Sequence, residues 1–109
     1  MALSKNNRIG RFKSDYFANG KKFFGQYFTV INKFDSDPTY PRFAILVSKK
    51  TAKKAVDRNK IRRLTLAVIQ KRMSSFATHD YLLIPKSSLL IATFENLTSD
   101  ITNVARKIQ

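Results

Sequence analysis

Residues 49–63 read Lys-Lys-Thr-Ala-Lys-Lys-Ala-Val-Asp-Arg-Asn-Lys-Ile-Arg-Arg, eight basic side chains with Asp57 as the only acid. The forty-six residues after Arg63 hold only five more. No Gly or Pro interrupts residues 51–75, and Ile61, Leu64, Val68 and Arg72 recur at helical spacing. A long helix is therefore expected. At roughly 100° per residue, Arg58 stacks over Arg62 and Asn59 over Arg63, on the side away from Ile61, Leu64 and Val68. One face then packs while the other offers guanidinium forks and an amide. A fork binds two phosphate oxygens at once and keeps its charge. Asn59 adds a donor and an acceptor for a base edge or a 2′-hydroxyl. Lys49, Lys50, Lys53, Lys54 and Lys60 extend the same basic surface. An ordinary solvated face mixes both charge signs, and this one does not. The chemistry it suits is the binding of a polyanion.

The whole-chain balance agrees. Twenty-one Lys and Arg against seven acids give a net charge of +14 and a pI near 10.5. Self-repulsion on that scale costs stability, so a polyanionic partner explains it better than solubility does. Membrane fits poorly as that partner, because apolar stretches such as residues 64–69 and 88–93 fall far short of the ~20 residues a span needs. The first residues also lack the apolar core of a signal peptide. A membrane-surface role would need lipid-facing apolar side chains along the basic helix, and that stripe is needed for packing. Absence of cysteine removes disulfides and thiolate metal sites, and a cytoplasmic location is the plain expectation. No protein-borne catalytic or metal-binding set can be assembled. The single His, His79, stands at a strand edge with no nucleophile or base at useful spacing. Asp35 and Asp37 lie in a Pro-bounded turn, where Asp serves structure, and Asp80 reads as ordering a loop.

Around the basic helix the other elements follow. Residues 1–9 are expected to form a loose N-terminal segment. Phe12, Tyr16 and Phe17 suggest a short helix stopped by an αL cap at Asn19-Gly20. Residues 23–34 are rich in aromatic and β-branched types and read as strand, with Gly25 at a bulge or turn. Residues 35–41 are turn chemistry throughout. Residues 43–47 read as a short strand buried on both faces, and residues 79–85 as a further buried strand. Thr93 can N-cap a final helix with Glu95 in its first turn, and Phe94, Leu97, Ile101, Val104 and Ile108 make an apolar stripe along it. Together these give an α+β sandwich, with helices packed on one small sheet. A DNA-binding helix-turn-helix would need a second short helix just ahead of the basic one, where residues 43–47 read as strand.

The run Ser48-Lys-Lys-x-x-Lys-Lys-Ala-x-x-Arg-Asn-x-Ile-Arg-Arg-Leu resembles the arginine-asparagine-arginine signature of the ribonuclease P protein family. Phe17, Gly20, the strand Gln-Tyr-Phe-Thr-Val at 26–30, Val47-Ser-Lys-Lys and Asp80-Tyr81 follow the family's order as well. The resemblance covers roughly residues 10–109 and separates this chain from a ribosomal or other generic RNA-binding protein of equal size and charge. It implies a single RNA-binding domain over residues 1–109 with an α-β-β-β-α-β-α fold and a left-handed crossover around the long basic helix. It implies a subunit of ribonuclease P whose partners are the catalytic RNA and precursor tRNA, not DNA or membrane. In such a holoenzyme the RNA cuts the 5′ leader from precursor tRNA, with Mg²⁺ activating water and stabilising the leaving oxygen. The basic helix and its leading loop would contact the catalytic RNA, and a cleft between the first helix and the sheet would hold the leader.

For that cleft, strand alternation puts Tyr27, Thr29 and Ile31 on one face and Phe28 and Val30 on the other. Either set can be core, and the resemblance points to the Tyr27 face, with Phe17 and Phe12 opposite. Lys21 and Lys22 beside it can steer a backbone or keep a strand end soluble. Two departures stand out. Leu66 occupies a position where the family often carries another Arg. With Gly20 as anchor, the family's first aromatic falls on Lys13, one residue from Phe12.

Overall fold

The structure, a computed structural model, describes residues 3–10, 12–13 and 15–108. Gly25 divides the aromatic-rich run into a hairpin. Its first strand, β1 (Lys21–Phe24), pairs antiparallel with β2 (Phe28–Lys33), Phe23 opposite Val30 and Phe24 opposite Thr29. The turn is tight, with the Gly25 N–H donating to the Phe28 carbonyl at 2.8 Å. β3 (Arg42–Ile45) and β4 (Asp80–Pro85) complete a four-stranded sheet of order β1-β2-β4-β3. β4 runs antiparallel to β2 and parallel to β3, so helix α1 (Ala55–Arg72) is the crossover between two parallel neighbours. Helix α2 (Phe94–Ile108) closes the chain. The α+β class and the long and final helices match the sequence reading.

Both helices cover one face of the sheet. Phe28 and Val30 of β2, Phe43 of β3, and Tyr81 and Leu83 of β4 are buried against Ile61, Val68 and Ile69 of α1 and Leu97, Ile101 and Val104 of α2. In α2, Leu97, Ile101 and Val104 of the expected stripe are buried, whereas Phe94 is exposed and Ile108 only half-buried, because they stand at the two ends of the helix. The cap is as expected: the Thr93 hydroxyl accepts the Asn96 N–H at 3.1 Å, satisfying one of the four N–H groups a helix start leaves unpaired. In α1 the stripe is rotated from the expected one. Thr65 and Ile69 are buried, while Leu64 is only half-buried. A buried Thr is tolerable here because its hydroxyl donates to the Ile61 carbonyl at 2.8 Å.

Four expectations are corrected. Residues 12–13 and 15–20 are not helical: Tyr16, Ala18 and Gly20 donate to the carbonyls of Lys13, Asp15 and Phe17, each three residues back. So short a segment gains too few bonds to offset helix nucleation, and its path follows instead the packing of Phe17 on Ile31 and Leu82. Nor is Gly20 an αL cap, since no described residue has positive φ. A Cβ there would collide with Ile31 Cγ2 and sit 3.1 Å from the Asn32 carbonyl oxygen, so close approach requires the glycine. β3 is not buried on both faces, because it is an edge strand and the following Leu46 is exposed. The N-terminal segment is not loose from residue 3 onward: Leu3 is buried in the main core, and the Ile9 N–H bonds the Phe43 carbonyl at 3.1 Å, covering the β3 edge. Residues 1 and 2 lie outside the described residues.

The hairpin is locked from α2. The buried Asp100 carboxylate accepts the backbone N–H groups of Gln26, Tyr27 and Phe28 at 2.7, 2.8 and 3.2 Å. A Cβ on Gly25 would stand 2.7 Å from that carboxylate and from Val104. Asp100→Ala, leaving these donors without their acceptor, is expected to cost about 3 kcal/mol, read as a lower urea midpoint. Asp100→Asn keeps one acceptor oxygen and should lose less. An unshifted midpoint for the alanine variant would mean the turn holds itself.

Candidate nucleic-acid interface

α1 begins in an unusual electrostatic position. The helix N-terminus carries partial positive charge, yet Lys49, Lys50, Lys53 and Lys54 crowd in front of it, with Asp57 the only acid in its first turn. Lys54 at the N-cap makes no side-chain capping bond. The backbone dipole and the lysines thus add their fields, which favours an anion at the helix start.

The structure divides the expected site residues into two groups. Lys49, Lys50, Lys53, Lys54, Asn59, Lys60, Arg62 and Arg63 are all exposed, the first four in the loop and the others on the outward side of α1. Arg58 is not on that side. It is half-buried, and its Nη1 donates to the Ala52 and Lys53 carbonyls at 3.0 and 2.7 Å. Its position follows from the rotated stripe, which turns residue 58 toward the packed side. Arg58 clamps the basic loop onto the helix. Arg62 is oriented by Asn59, whose Oδ1 accepts its Nη1 at 3.2 Å, so Asn59 acts first as a positioning residue for a guanidinium. Leu66 packs against the core, and the basic face ends at Arg63.

On the opposite face of the sheet, register orders the surface into rows. Lys33, Asp80 and Arg42 form one end, and Tyr16 bonds Asp80 there. In the middle row, Ile31 and Leu82 lie beneath Phe17, which is only 6% exposed. The third row, Phe24, Thr29 and Ile84, is open, and Phe24 is 62% exposed. Of the expected cleft residues, Phe17 and Ile31 do meet, but as buried partners. Phe12 is 41% exposed, edge-on to Phe17 with centroids 5.3 Å apart. Thr29 sits in the open row. Tyr27 does not share this face: it lies in the hairpin turn and packs against the main core. Phe24 and Ile84 were missed, because their alignment with Thr29 depends on where the chain reverses at Gly25.

Asp35 and Asp80 are engaged with basic side chains, and the buried Nδ1 of His79 meets no hydrogen-bond partner among the described residues. Asp35 pairs with Lys33 at 3.0 Å. Asp80, fully buried, takes two 2.7 Å bonds from the Arg42 guanidinium and another from the Tyr16 hydroxyl. Among the described residues no three His, Cys, Asp or Glu side chains gather in a metal-holding group, and no helix is long and apolar enough to cross a membrane.

A protein-family model described as Ribonuclease P matches residues 3–109. The chain belongs to the ribonuclease P protein family. Curated ribonuclease P protein components similar to it include one from Pseudanabaena sp., 32% identical over 111 residues and covering 96% of this chain and 93% of the relative. Another, from Microcystis aeruginosa, is 41% identical over 83 residues, covering 71% of this chain and 68% of that one. The fold is shared with the Staphylococcus aureus RNase P protein, TM-score 0.73 at 23% identity over 94% of each chain. It is also shared with the Thermotoga maritima RNase P protein, TM-score 0.74 at 23% identity over 93% of this chain and 100% of that one. As a ribonuclease P protein component, the chain is part of an endoribonuclease holoenzyme and a partner of the ribonuclease P RNA.

The two arginine roles separate experimentally. Arg58→Ala removes two bonds that close the loop and is expected to cost about 1–2 kcal/mol of stability. Arg63→Ala removes only an exposed side chain and should stay within about 0.5 kcal/mol of the parent. Thermal melts followed by circular dichroism check this, and equal melting temperatures for the two variants would contradict the assignment.

Proposed function

We propose that the exposed basic surface of α1 and its leading loop binds the catalytic RNA through phosphates, and that the open sheet face receives the 5′ leader of precursor tRNA. The observation that carries the reading is that Lys60, Arg62 and Arg63 on α1 and the four lysines of the loop leading into it are all exposed. Guanidinium and ammonium groups there exchange condensed counterions for phosphates, so affinity is tied to salt. Asn59 holds the Arg62 fork in one orientation and so reduces the ordering needed on binding. On the other face, single-stranded RNA asks for a flat apolar surface beside positive charge. Phe24, Thr29 and Ile84 offer the surface, and Lys22, paired opposite Ile31 in the next row, offers the charge. In this reading the protein positions RNA, while the catalytic RNA, with its own Mg²⁺, supplies the 5′ maturation chemistry.

The reading is tested in the reconstituted holoenzyme. Binding to the catalytic RNA should weaken steeply with salt, and Arg63→Ala should reduce the slope of log K against log salt by about 0.7–0.9, one phosphate contact. Precursor cleavage at low Mg²⁺ should depend on the protein and fall with Arg62→Ala plus Arg63→Ala. A salt-independent affinity would overturn the phosphate assignment.

The leader surface has its own test. A stacked base contributes about 1–3 kcal/mol, so Phe24→Ala should weaken precursor binding severalfold or more and leave mature tRNA, which has no leader, unchanged. Phe24 is exposed, so its loss leaves the core intact. Ile31→Ala should instead lower stability and harm both ligands together. If Phe24→Ala reduces both affinities equally, or neither, the leader runs elsewhere.

A further inference from the structure

The N-terminal segment and the β2–β3 loop flank an open cavity of about 530 Å³ that neither RNA surface above uses. It lies at the Asp80 end of the sheet, while the open Phe24–Thr29–Ile84 row lies at the other end, four residues along β4. Its rims are tied together. Asn7 Nδ2 donates to the Pro41 carbonyl at 2.9 Å, and the Ile9 N–H to the Phe43 carbonyl at 3.1 Å. Its wall is built on a buried charge, because Arg42 and Tyr16, which both line it, both bond Asp80.

Two of the four lining cations are already compensated. Arg42 has Asp80, and Lys33 has Asp35 while lying 4.8 Å over the Tyr16 ring. Lys5 and Arg8 are exposed on the rim and form no ion pair among the described residues. Tyr40, 50% exposed, also lines the cavity, with no ring partner among the described residues. Asp37, exposed in the same lining, is an acceptor without an ion-pair partner among those residues.

We propose that this cavity binds one ribonucleotide, its phosphate on Lys5 and Arg8, its base on Tyr40, and its ribose hydroxyls or base amines on Asp37. The volume falls within the range of about 300–1,000 Å³ usual for small-ligand sites. Paired cations suit a phosphate, and an exposed aromatic ring takes any base by stacking. A bare anion would leave Tyr40 idle and meet repulsion from Asp37. A carboxylate-rich peptide would meet that repulsion at each further acid. The nucleotide can arrive free or as one unit of a single strand, and the chemistry of recognition is the same.

The test uses the full chain without any catalytic RNA, so its outcome is independent of the holoenzyme reading. Nucleoside 5′-monophosphates, inorganic phosphate at matched ionic strength, and a single-stranded trinucleotide are titrated by calorimetry and by amide chemical-shift mapping. The monophosphates should shift the amides of Asn6, Thr39 and Tyr40 and bind at least fivefold tighter than phosphate. Arg8→Ala and Tyr40→Ala, both at exposed positions, should each weaken them fivefold or more, while Arg63→Ala has no effect on them. A trinucleotide at least tenfold tighter than the monophosphates, with the same dependence on Arg8 and Tyr40, marks strand RNA as the source. Equal affinities mark the free nucleotide. Shifts confined to α1, or phosphate binding as tightly as the monophosphates with Tyr40→Ala indifferent, would overturn the proposal.

Discussion

The carboxylate of Asp80 is the constraint on which the working face depends. It is fully buried at the start of β4, where β3, the N-terminal segment and the β2–β3 loop converge. Arg42 grips it from β3 with two bonds, the Tyr16 hydroxyl from the N-terminal side, and its own backbone N–H donates to Ser36 in the loop at 2.9 Å. Burial pushes the Asp80 pKa up, but the Arg42 bonds, then the Tyr16 hydroxyl, pull it further down, and the net position is below the usual carboxylate range. The Tyr16 hydroxyl is correspondingly raised, first by its bond to Asp80. A depressed carboxyl contributes stability above its unfolded value of about 3.9 that is lost as pH falls through the lower folded value. At neutral pH the network is therefore intact. By drawing Tyr16 and Phe17 over one end of the sheet, it decides that the opposite end, around Phe24, stays open.

The same economy runs through the other acids. Of seven in the chain, Asp80 and Asp100 are buried and hold backbone or strands together. Asp35 compensates a lysine two residues away. Few acids are left to face the basic surface, and the excess of +14 is carried outward. A more even surface would lower self-repulsion. It would also quench the field at the start of α1, where the helix dipole and the lysines reinforce each other. Electrostatic strain in the free protein and attraction for a polyanion are here one property.

Periodicity made α2 legible because large apolar residues mark its buried stripe, even though Thr98 and Asp100 are buried beside them. In α2, Leu97, Ile101 and Val104 lie where spacing put them, and Thr93 caps as its type suggests. In α1 the stripe includes Thr65, a polar type that pattern reading assigns outward, and the phase was misjudged. That error moved Arg58 onto the wrong side and hid its part in closing the loop. The first aromatic segment failed for another reason. Aromatics four or five apart fit a helix and also fit tight turns pinned by Phe17 and Tyr16, and only tertiary contacts choose between them. Phe24 and Ile84 were illegible because cross-strand register is set by the hairpin turn and by Asp100, seventy-four residues from Gln26. The basic signature itself needed no tertiary information, since charge density survives any small error of phase.

Placing the basic helix and the open row on opposite faces of one sheet has a mechanical consequence. The sheet and the helix share one core, and neither can shift without breaking the contacts of Ile61, Val68, Tyr81 and Leu83. Register cannot slip either, because moving β2 by one residue would turn Phe28 and Val30 outward and bring Thr29 into the core. Side chains carried on such elements hold their relative positions more closely than side chains on loops do. Two RNA segments engaged on the two faces would therefore be held at a separation fixed by the fold, with the protein acting as a rigid spacer. The loop of residues 48–54 is the one part of the basic surface outside regular structure, and Arg58 fastens it to the helix through the Ala52 and Lys53 carbonyls. Removing that tie leaves every exposed cation in place and changes only how firmly they are held.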